Sequence, residues 1–316
     1  MPALISGSLA YDTIMVFRDR FRNHILPGQV HILNVAFLVE EMRREFGGCA
    51  GNIAYNLQLL GDRGIPLATV GTDFDTYGRW LDKWGICRDH VRLVEEHYTA
   101  QAYITTDLDD NQITAFHPGA MSEAHQVDVP ADTGARVGIL APNGRQGMLQ
   151  HARQFVEGGI PFIFDPGQGL PMFENGELLE FIQQATWLAV NDYESRLLEE
   201  RTGMGVGQLA EQVEALIVTR GAQGSRIYTG GRRIDIPSVK PRAVVDPTGC
   251  GDAYRAGLLH GLLNDLDWQT TGQIASLMGS IKVARHGTQN HHFIRDDFAA
   301  WYREAFDEEL PPARSA

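Results

Sequence analysis

The sequence predicts an α/β fold: a central, mostly parallel sheet flanked by helices, with a small β-sheet lid. Three observations predict it. Short apolar runs of strand length alternate with stretches of helical period, which is the pattern of βαβ units and hence of a parallel sheet. Two segments, 13–40 and 95–117, break that alternation and read as extended hairpins carried on the α/β units. The length of 316 residues, 43% hydrophobic and 21% charged, buries a large core without disulfide or metal staples. The chain therefore reads as one unit over 1–316, with a lid inserted around 13–40 and 95–120.

Taken in order, Leu4-Ile5 opens an apolar strand that stops at Gly7-Ser8. Residues 49–60 carry apolar side chains at helical spacing and stop at Gly61. Pro66 to Val70, Val137 to Leu140, Pro161 to Phe164, Thr186 to Val190 and Ala215 to Thr219 are short buried-strand runs. Helical stretches at 145–157, 175–184 and 192–201 separate them. In the first hairpin region, IMVF and QVHILNVAFLV read as strands. In the second, AQAYITTDL and ITAFHP flank a DDNQ turn. Gly230-Gly231 is a hairpin tip, and 305–316 is a polar tail.

Composition excludes several functions. With 27 Lys+Arg against 40 Asp+Glu the formal charge is −13, so no broad nucleic-acid surface is expected. A small anion remains compatible with such a charge, because one pocket can be locally positive. Cys49, Cys87 and Cys250 are too scattered for a disulfide framework or a zinc site and fit a reducing compartment. The first residues have no secretory pattern and no run approaches a membrane span, so a cytoplasmic protein with no membrane partner is expected. No P-loop, no G-x-G-x-x-G after the first strand and no H-E-x-x-H is present, which argues against P-loop, nicotinamide and zincin chemistry.

Four segments carry candidate chemistry. In DPTGCGDAYRAG (246–257), Gly249 and Gly251 precede a long apolar helix, AYRAGLLHGLL. Glycines that turn the chain, followed by a helix N-terminus, form an anion-binding nest. Asp252 in the first turn reads either as a helix cap or as a base taking a proton from a hydroxyl that attacks a phosphoryl group. Thr219 to Gly224 follows a strand and ends in a glycine turn, which leaves room for a nucleotide at a sheet edge. Asn191 and Glu194 open a helix after a strand. They read as a capping box or as groups facing a phosphate–magnesium cluster. Gly48, Cys49 and Asn52 lie in a second glycine-rich helix start. That segment pairs with Asp12, which reads as a turn cap or as an acceptor for two adjacent hydroxyls of a sugar.

These segments, in this order, resemble the ribokinase (PfkB) family of sugar and nucleoside kinases. The resemblance runs from GSLAYD through GGCAGN, NDYE and TRGAQG to DPTGCGDAYRAG. It implies a ribokinase-like fold and assigns Asp252 as catalytic base, with Gly249, Cys250 and Gly251 giving backbone N–H groups to an anion hole. Asn191 and Glu194 match the family's N-x-x-E motif for magnesium and phosphates. Thr219, Gly221 and Gly224 match the turn beside ATP, and Asp12, Gly48 and Asn52 match the sugar contacts. Cys250 stands where the family usually has alanine, and a thiol there raises the expectation of sensitivity to thiol reagents.

Within the family the likeness is to prokaryotic nucleoside kinases of the adenosine kinase type, carried by MRREFGGCAGNIAYNL, ITTDLDDNQITAFHPGAM, FIFDPGQGLP and VARHGTQ. The implied reaction is ATP-dependent phosphorylation of the ribose 5′-hydroxyl of a purine nucleoside, in salvage. A base needs an apolar wall, and Tyr103, Phe116 and Met121 on the lid offer one, with Gln168 as an amide for the base edge. A sugar kinase acting on ribose or a fructose phosphate is the alternative, and a non-catalytic nucleoside or sugar sensor a third reading. The loops around Asp246 and 284–288 resemble the family's monovalent-cation region, where potassium is the expected ion. The apolar run HILNVAFLV favours a homodimer through the lid.

Overall fold

The computed structural model describes residues 1–25, 35–109 and 111–312. Its larger sheet has nine strands, introduced here in chain order: β1 (Ala3–Ser6), β4 (Gly64–Val70), β5 (Val91–Leu93), β8 (Val137–Leu140), β9 (Phe162–Phe164), β10 (Trp187–Asn191), β11 (Ala215–Thr219), β12 (Ser225–Thr229) and β13 (Arg232–Ile236). Four strands form the smaller sheet: β2 (Ala10–Val16), β3 (Glu41–Gly47), β6 (Ala100–Thr106) and β7 (Gln112–His117). The helices are α1 (Cys49–Leu60), α2 (Asp75–Lys83), α3 (Arg145–Glu157), α4 (Asn175–Gln184), α5 (Asp192–Thr202), α6 (Val206–Glu211), α7 (Cys250–Leu263), α8 (Trp268–Val283) and α9 (Arg295–Phe306).

The large sheet has the order β13-β12-β11-β10-β9-β8-β1-β4-β5. It is parallel from β5 to β11, and β12 and β13 add an antiparallel hairpin. Strand periodicity divides the core in two. Ile5, Ile139, Ile163, Ala189 and Ile217 face α1, α2 and α7, whereas Leu4, Leu140, Phe164, Val190 and Leu216 face α3, α4 and α5. Such strands, covered on both faces, read as continuous apolar runs. That is why they were legible in the sequence. The central helix α7 is buried along most of its length. It packs so tightly on α8 that a Cβ on Gly257 would lie 2.4 Å from the Ala275 Cα.

The small sheet has the order β3-β2-β6-β7, with β2 and β6 parallel and the other pairs antiparallel. It lies over one edge of the large sheet as a lid. One expectation needs correcting. QVHILNVAFLV covers 29–39, and its first six residues lie outside the described set. The remainder, 35–39, is not a strand, and the strand that pairs with β2 is Glu41–Gly47. Phe37 instead turns inward to a cluster with Phe17 and Phe21, at ring distances of 4.8 and 5.0 Å. Burying the ring in that cluster outweighs strand propensity there. The tail reading also starts two residues early, because α9 runs to Phe306. No described helix is long and apolar enough to cross a membrane, and the three cysteines are unpaired.

Candidate active site

Parallel strands deliver their carboxyl ends to one place, and the crevice lies beyond β1, where β4 and β8 flank it on opposite sides. Ser8 after β1, Asn143 after β8, Asp165 after β9, Asn191 at the end of β10 and Thr219 at the end of β11 all border a single cleft of about 660 Å3. The lid supplies the facing wall through Asp12, Ala102, Ile104 and Phe116. The head of α7 closes the third side with Gly249, Gly251 and Asp252.

Glycine is required at two of these turns. Gly48 caps α1 at φ +85°, and a Cβ there would fall 2.5 Å from Ser8 O and 2.6 Å from Ala10 N. Gly249 caps α7 at φ +77°, and its Cβ would fall 3.0 Å from Thr288 Cγ2. A side chain is strained in that backbone region. At Gly251, by contrast, a Cβ would meet nothing, so open space stands over the first turn of α7. The N–H groups of Gly249 and Gly251 have no partner among the described residues. They and the helix dipole leave positive potential facing the cleft. The Cys250 N–H does not join them, because it donates to Pro247 O at 3.1 Å. Cys250 is absent from the cleft lining. Burial also pushes its thiol up to about 11, so it stays protonated at neutral pH, which disfavours the thiolate that reagents attack. Both findings correct the expectations for this residue.

Asp252 lies at the floor of the cleft. Asn52 Nδ2 donates to its Oδ2 at 2.7 Å, and Gln289 Nε2 donates to Asn52 Oδ1 at 3.0 Å. Gln289 is itself held by Trp80 Nε1, which donates to Oε1 at 2.9 Å. This chain fixes one carboxylate oxygen. Desolvation raises the Asp252 pKa to about 6, opposed by the Asn52 hydrogen bond. Burial lifts Asp12 to about 6 too, with further push from the Asp246 and Glu45 charges. Both remain ionised at neutral pH, yet near enough to it to exchange a proton with a hydroxyl.

Asn191 and Glu194 meet both readings offered by the sequence. Asn191 Oδ1 accepts Glu194 N at 2.8 Å, and Glu194 Oε2 accepts Asn191 N at 2.8 Å, so they form a capping box on α5. Both still border the cleft. Glu194 is buried and its pKa is raised, chiefly by desolvation and then by the Asp165 charge. Its second oxygen has no hydrogen-bond partner among the described residues, and the Arg255 charge offsets part of the rise.

Phe116, Met121 and Gln168 border the same cleft as Asp12, Gly48 and Asn52. Tyr103 does not, which corrects its assignment to the base wall. Successive strand residues face opposite ways. With Ala102 and Ile104 on the cleft side of β6, Tyr103 falls on the outer face, where its hydroxyl donates to Gln101 Oε1 at 2.8 Å. Gly221 and Gly224 flank the turn after β11 beside Thr219 but do not line the cleft. Gly224 serves the close hairpin, since a Cβ would fall 2.1 Å from Ile236 O.

Sequence reasoning missed several cleft residues. Arg255 is buried on α7 and grips Asp165 with two hydrogen bonds, Nε to Oδ2 at 3.1 Å and an Nη to Oδ1 at 3.0 Å. The signal was an arginine inside an apolar helix, which requires a buried partner. Asn143 is 1% exposed, and its Nδ2 has no partner among the described residues. Its place after the VGIL strand was the available signal. Thr288 reaches the cleft from the loop after α8 and donates to Phe46 O at 2.5 Å.

Residues 10–293 match the pfkB family carbohydrate kinase profile. The chain belongs to the pfkB carbohydrate kinase family. It is similar to a Methanocaldococcus jannaschii nucleoside kinase, 34% identical over 260 residues that cover 82% of this chain and 85% of that relative. The structure of a Burkholderia thailandensis nucleoside kinase in complex with inosine superposes with a TM-score of 0.89 at 47% identity, over 97% of this chain and 99% of that one. The same kinase in complex with ADP-inosine gives 0.87 and 49%, covering 99% and 98%. The fold is thus ribokinase-like, with the large mixed sheet and separate small sheet that pfkB membership implies.

The loops around Asp246 and 284–288, where the resemblance implies a monovalent cation, hold a charged group of the chain itself. The buried Lys282 Nζ donates to Asp246 O at 2.7 Å and Arg285 O at 3.3 Å, and lies 3.9 Å from Asp246 Oδ1. An ammonium already takes up these oxygens, so the residues present do not fit the potassium expected from the resemblance.

Proposed function

We propose that this protein is an ATP-dependent nucleoside kinase that phosphorylates the ribose 5′-hydroxyl of a purine nucleoside, in purine salvage in the cytoplasm. One observation carries the reading: a single cleft joins Asp252, beneath the open head of α7, to a pocket lined by Asp12, Asn52, Ile104 and Phe116. In this reading residues 1–316 act as one unit, with the lid formed by insertions around 13–40 and 95–120. The similarity to kinases solved with inosine and with ADP-inosine supports a nucleoside acceptor and an adenine nucleotide donor.

The mechanism follows from the residues. Asp12 accepts hydrogen bonds from sugar hydroxyls, and Asn143 Nδ2 offers a donor to the same ligand. Phe116 and Met121 cover the base and Gln168 bonds its edge. Asp252, ionised, takes the proton of the 5′-hydroxyl while that oxygen forms a bond to the γ-phosphorus and the β–γ bridging bond breaks to release ADP. The Gly249 and Gly251 N–H groups and the α7 dipole stabilise the charge on the transferring phosphoryl, and they need no reorganisation to do so. Arg255, paired with Asp165, offsets part of the burial cost of the Asp252 and Glu194 carboxylates. Thr219 and the turn to Gly224 border the nucleotide. Glu194, a buried carboxylate with one oxygen not hydrogen-bonded among the described residues, fits a magnesium ion and would hold it with Asn191 through water. When bound, the ion supplies charge neutralisation to the phosphates. No cluster of three or more His, Cys, Asp or Glu side chains exists among the described residues to bind a metal alone. That agrees with an ion held chiefly by phosphate and water.

A homodimer through the lid belongs to the same reading. The outer lid face exposes Met42, Tyr103 and Ile113, and sedimentation of the purified chain tests it. The reaction is tested by assaying ADP formation with ATP and magnesium on adenosine, inosine, guanosine, cytidine, ribose and fructose 6-phosphate. Turnover on purine nucleosides is expected. Turnover confined to the free sugars would establish a sugar kinase instead, and ligand binding without ADP formation would establish a sensor.

A further inference from the structure

Two loops, 244–249 and 283–288, meet directly behind the turn that carries Gly249. Four of their backbone donors are already matched. Val283 O accepts both Val245 N at 2.9 Å and Asp246 N at 3.1 Å. The Asp246 carboxylate accepts Thr248 N and Gly287 N, each at 2.9 Å. Two carbonyls of the loops are left over as acceptors. The carbonyls of Asp246 and Arg285 converge on one point beside an Asp246 oxygen. A buried concentration of oxygen lone pairs is costly without a cation.

Lys282 fills that point. It is 0% exposed, and its Nζ makes the two carbonyl contacts and the carboxylate approach given above. An ammonium carries the same charge as a monovalent alkali ion and, with three donors, can engage several carbonyl-type oxygens. Its position in the last turn of α8 adds a favourable interaction with the helix C-terminus. Burial pulls the Lys282 pKa down from its ordinary value while the Asp246 charge holds it up.

We infer that Lys282 is a built-in monovalent cation: it holds the 246–249 turn, and with it the Gly249 N–H, in place from behind, and makes the protein independent of potassium. Lys282 touches neither phosphate nor acceptor. It is a positioning residue that acts through Asp246 and the backbone of the turn. Removing its side chain to Cβ leaves the oxygens and opens space for an exchangeable ion.

The test compares potassium chloride with tetramethylammonium chloride at equal ionic strength, by thermal melting and by ATP turnover. For the wild-type chain both are expected to be the same in the two salts, with turnover within about twofold. For Lys282→Ala, turnover in tetramethylammonium falls about tenfold, less than the loss of a direct oxyanion donor. Potassium or ammonium then restores most of it and raises the melting temperature. The melting comparison needs no acceptor, so it stands even if the nucleoside reading fails. Activation of the wild-type chain about fivefold or more by potassium overturns the inference. So does a Lys282→Ala variant whose melting and turnover are the same in the two salts. If the variant folds only in potassium, the inference is supported, and if it folds in neither salt, it is refuted.

Discussion

The two walls of the cleft are built by different rules. On the α7 side the ligand-facing groups are mostly backbone N–H, set by glycine turns and a helix end, with Asp252 and Arg255 locked into hydrogen-bonded partners. On the lid side they are side chains at alternate strand positions, and Phe116 is 53% exposed. The first wall is fixed by the chain's path and the second by which way each residue points. Chemistry should therefore reside in the first wall and acceptor choice in the second, and mutations should separate the two.

The largest effect is expected at Asp252. Asp252→Asn preserves shape and keeps an oxygen for Asn52, but removes the base, and kcat should fall by more than about 100-fold. Near-normal turnover in a variant that melts like the wild type would move the base elsewhere. Gly249→Ala forces a side chain into a left-handed turn against Thr288, and should cost about 1–2 kcal/mol of stability and lower kcat. Circular dichroism melting beside steady-state rates checks both.

The pH profile probes the same wall. Since Asp252 and Asp12 are each raised to about 6 and act when ionised, kcat/KM should be flat above that pH. Below it the value should fall by up to about a hundredfold per unit, a factor of ten for each carboxylate, as protonation removes the working form. The two carboxyls share the cleft, so the limb belongs to both. Asp12→Asn should leave the kcat limb in place while raising KM.

Phe116→Ala and Tyr103→Ala test the lid wall. Losing Phe116 should raise the nucleoside KM about tenfold, roughly the worth of one stacked or buried ring. Tyr103 on the outer face should leave KM within about twofold. A reversed result would mean that the strand faces are assigned the wrong way round. The smallest effect is expected at Cys250, where alanine should change turnover less than about twofold, because neither its thiol nor its N–H faces the cleft.

This contrast also explains what could be read from the chain alone. Doubly covered strands such as ALIVT and helix starts such as Gly48 and Gly249 are written in local patterns, and α3 and α4 fall where periodicity puts them. Tyr103 was misread because a lid residue's value depends on strand parity, and a hairpin of mixed polarity leaves parity ambiguous. Arg255, Asn143 and Lys282 were missed for another reason. Arg255 and Lys282 owe their meaning to partners far along the chain, Asp165 and Asp246, whereas Asn143 is marked only by its place after β8.

The polarity of the large sheet has a practical consequence. Every cleft residue it contributes stands at or just beyond a carboxyl edge, so the opposite edge carries only turns, such as 61–63, 158–161 and 212–214. A fluorophore, an affinity handle or an inserted reporter placed in those turns would sit a full strand length from the ligands. Surface immobilisation through them should leave the cleft open to solution.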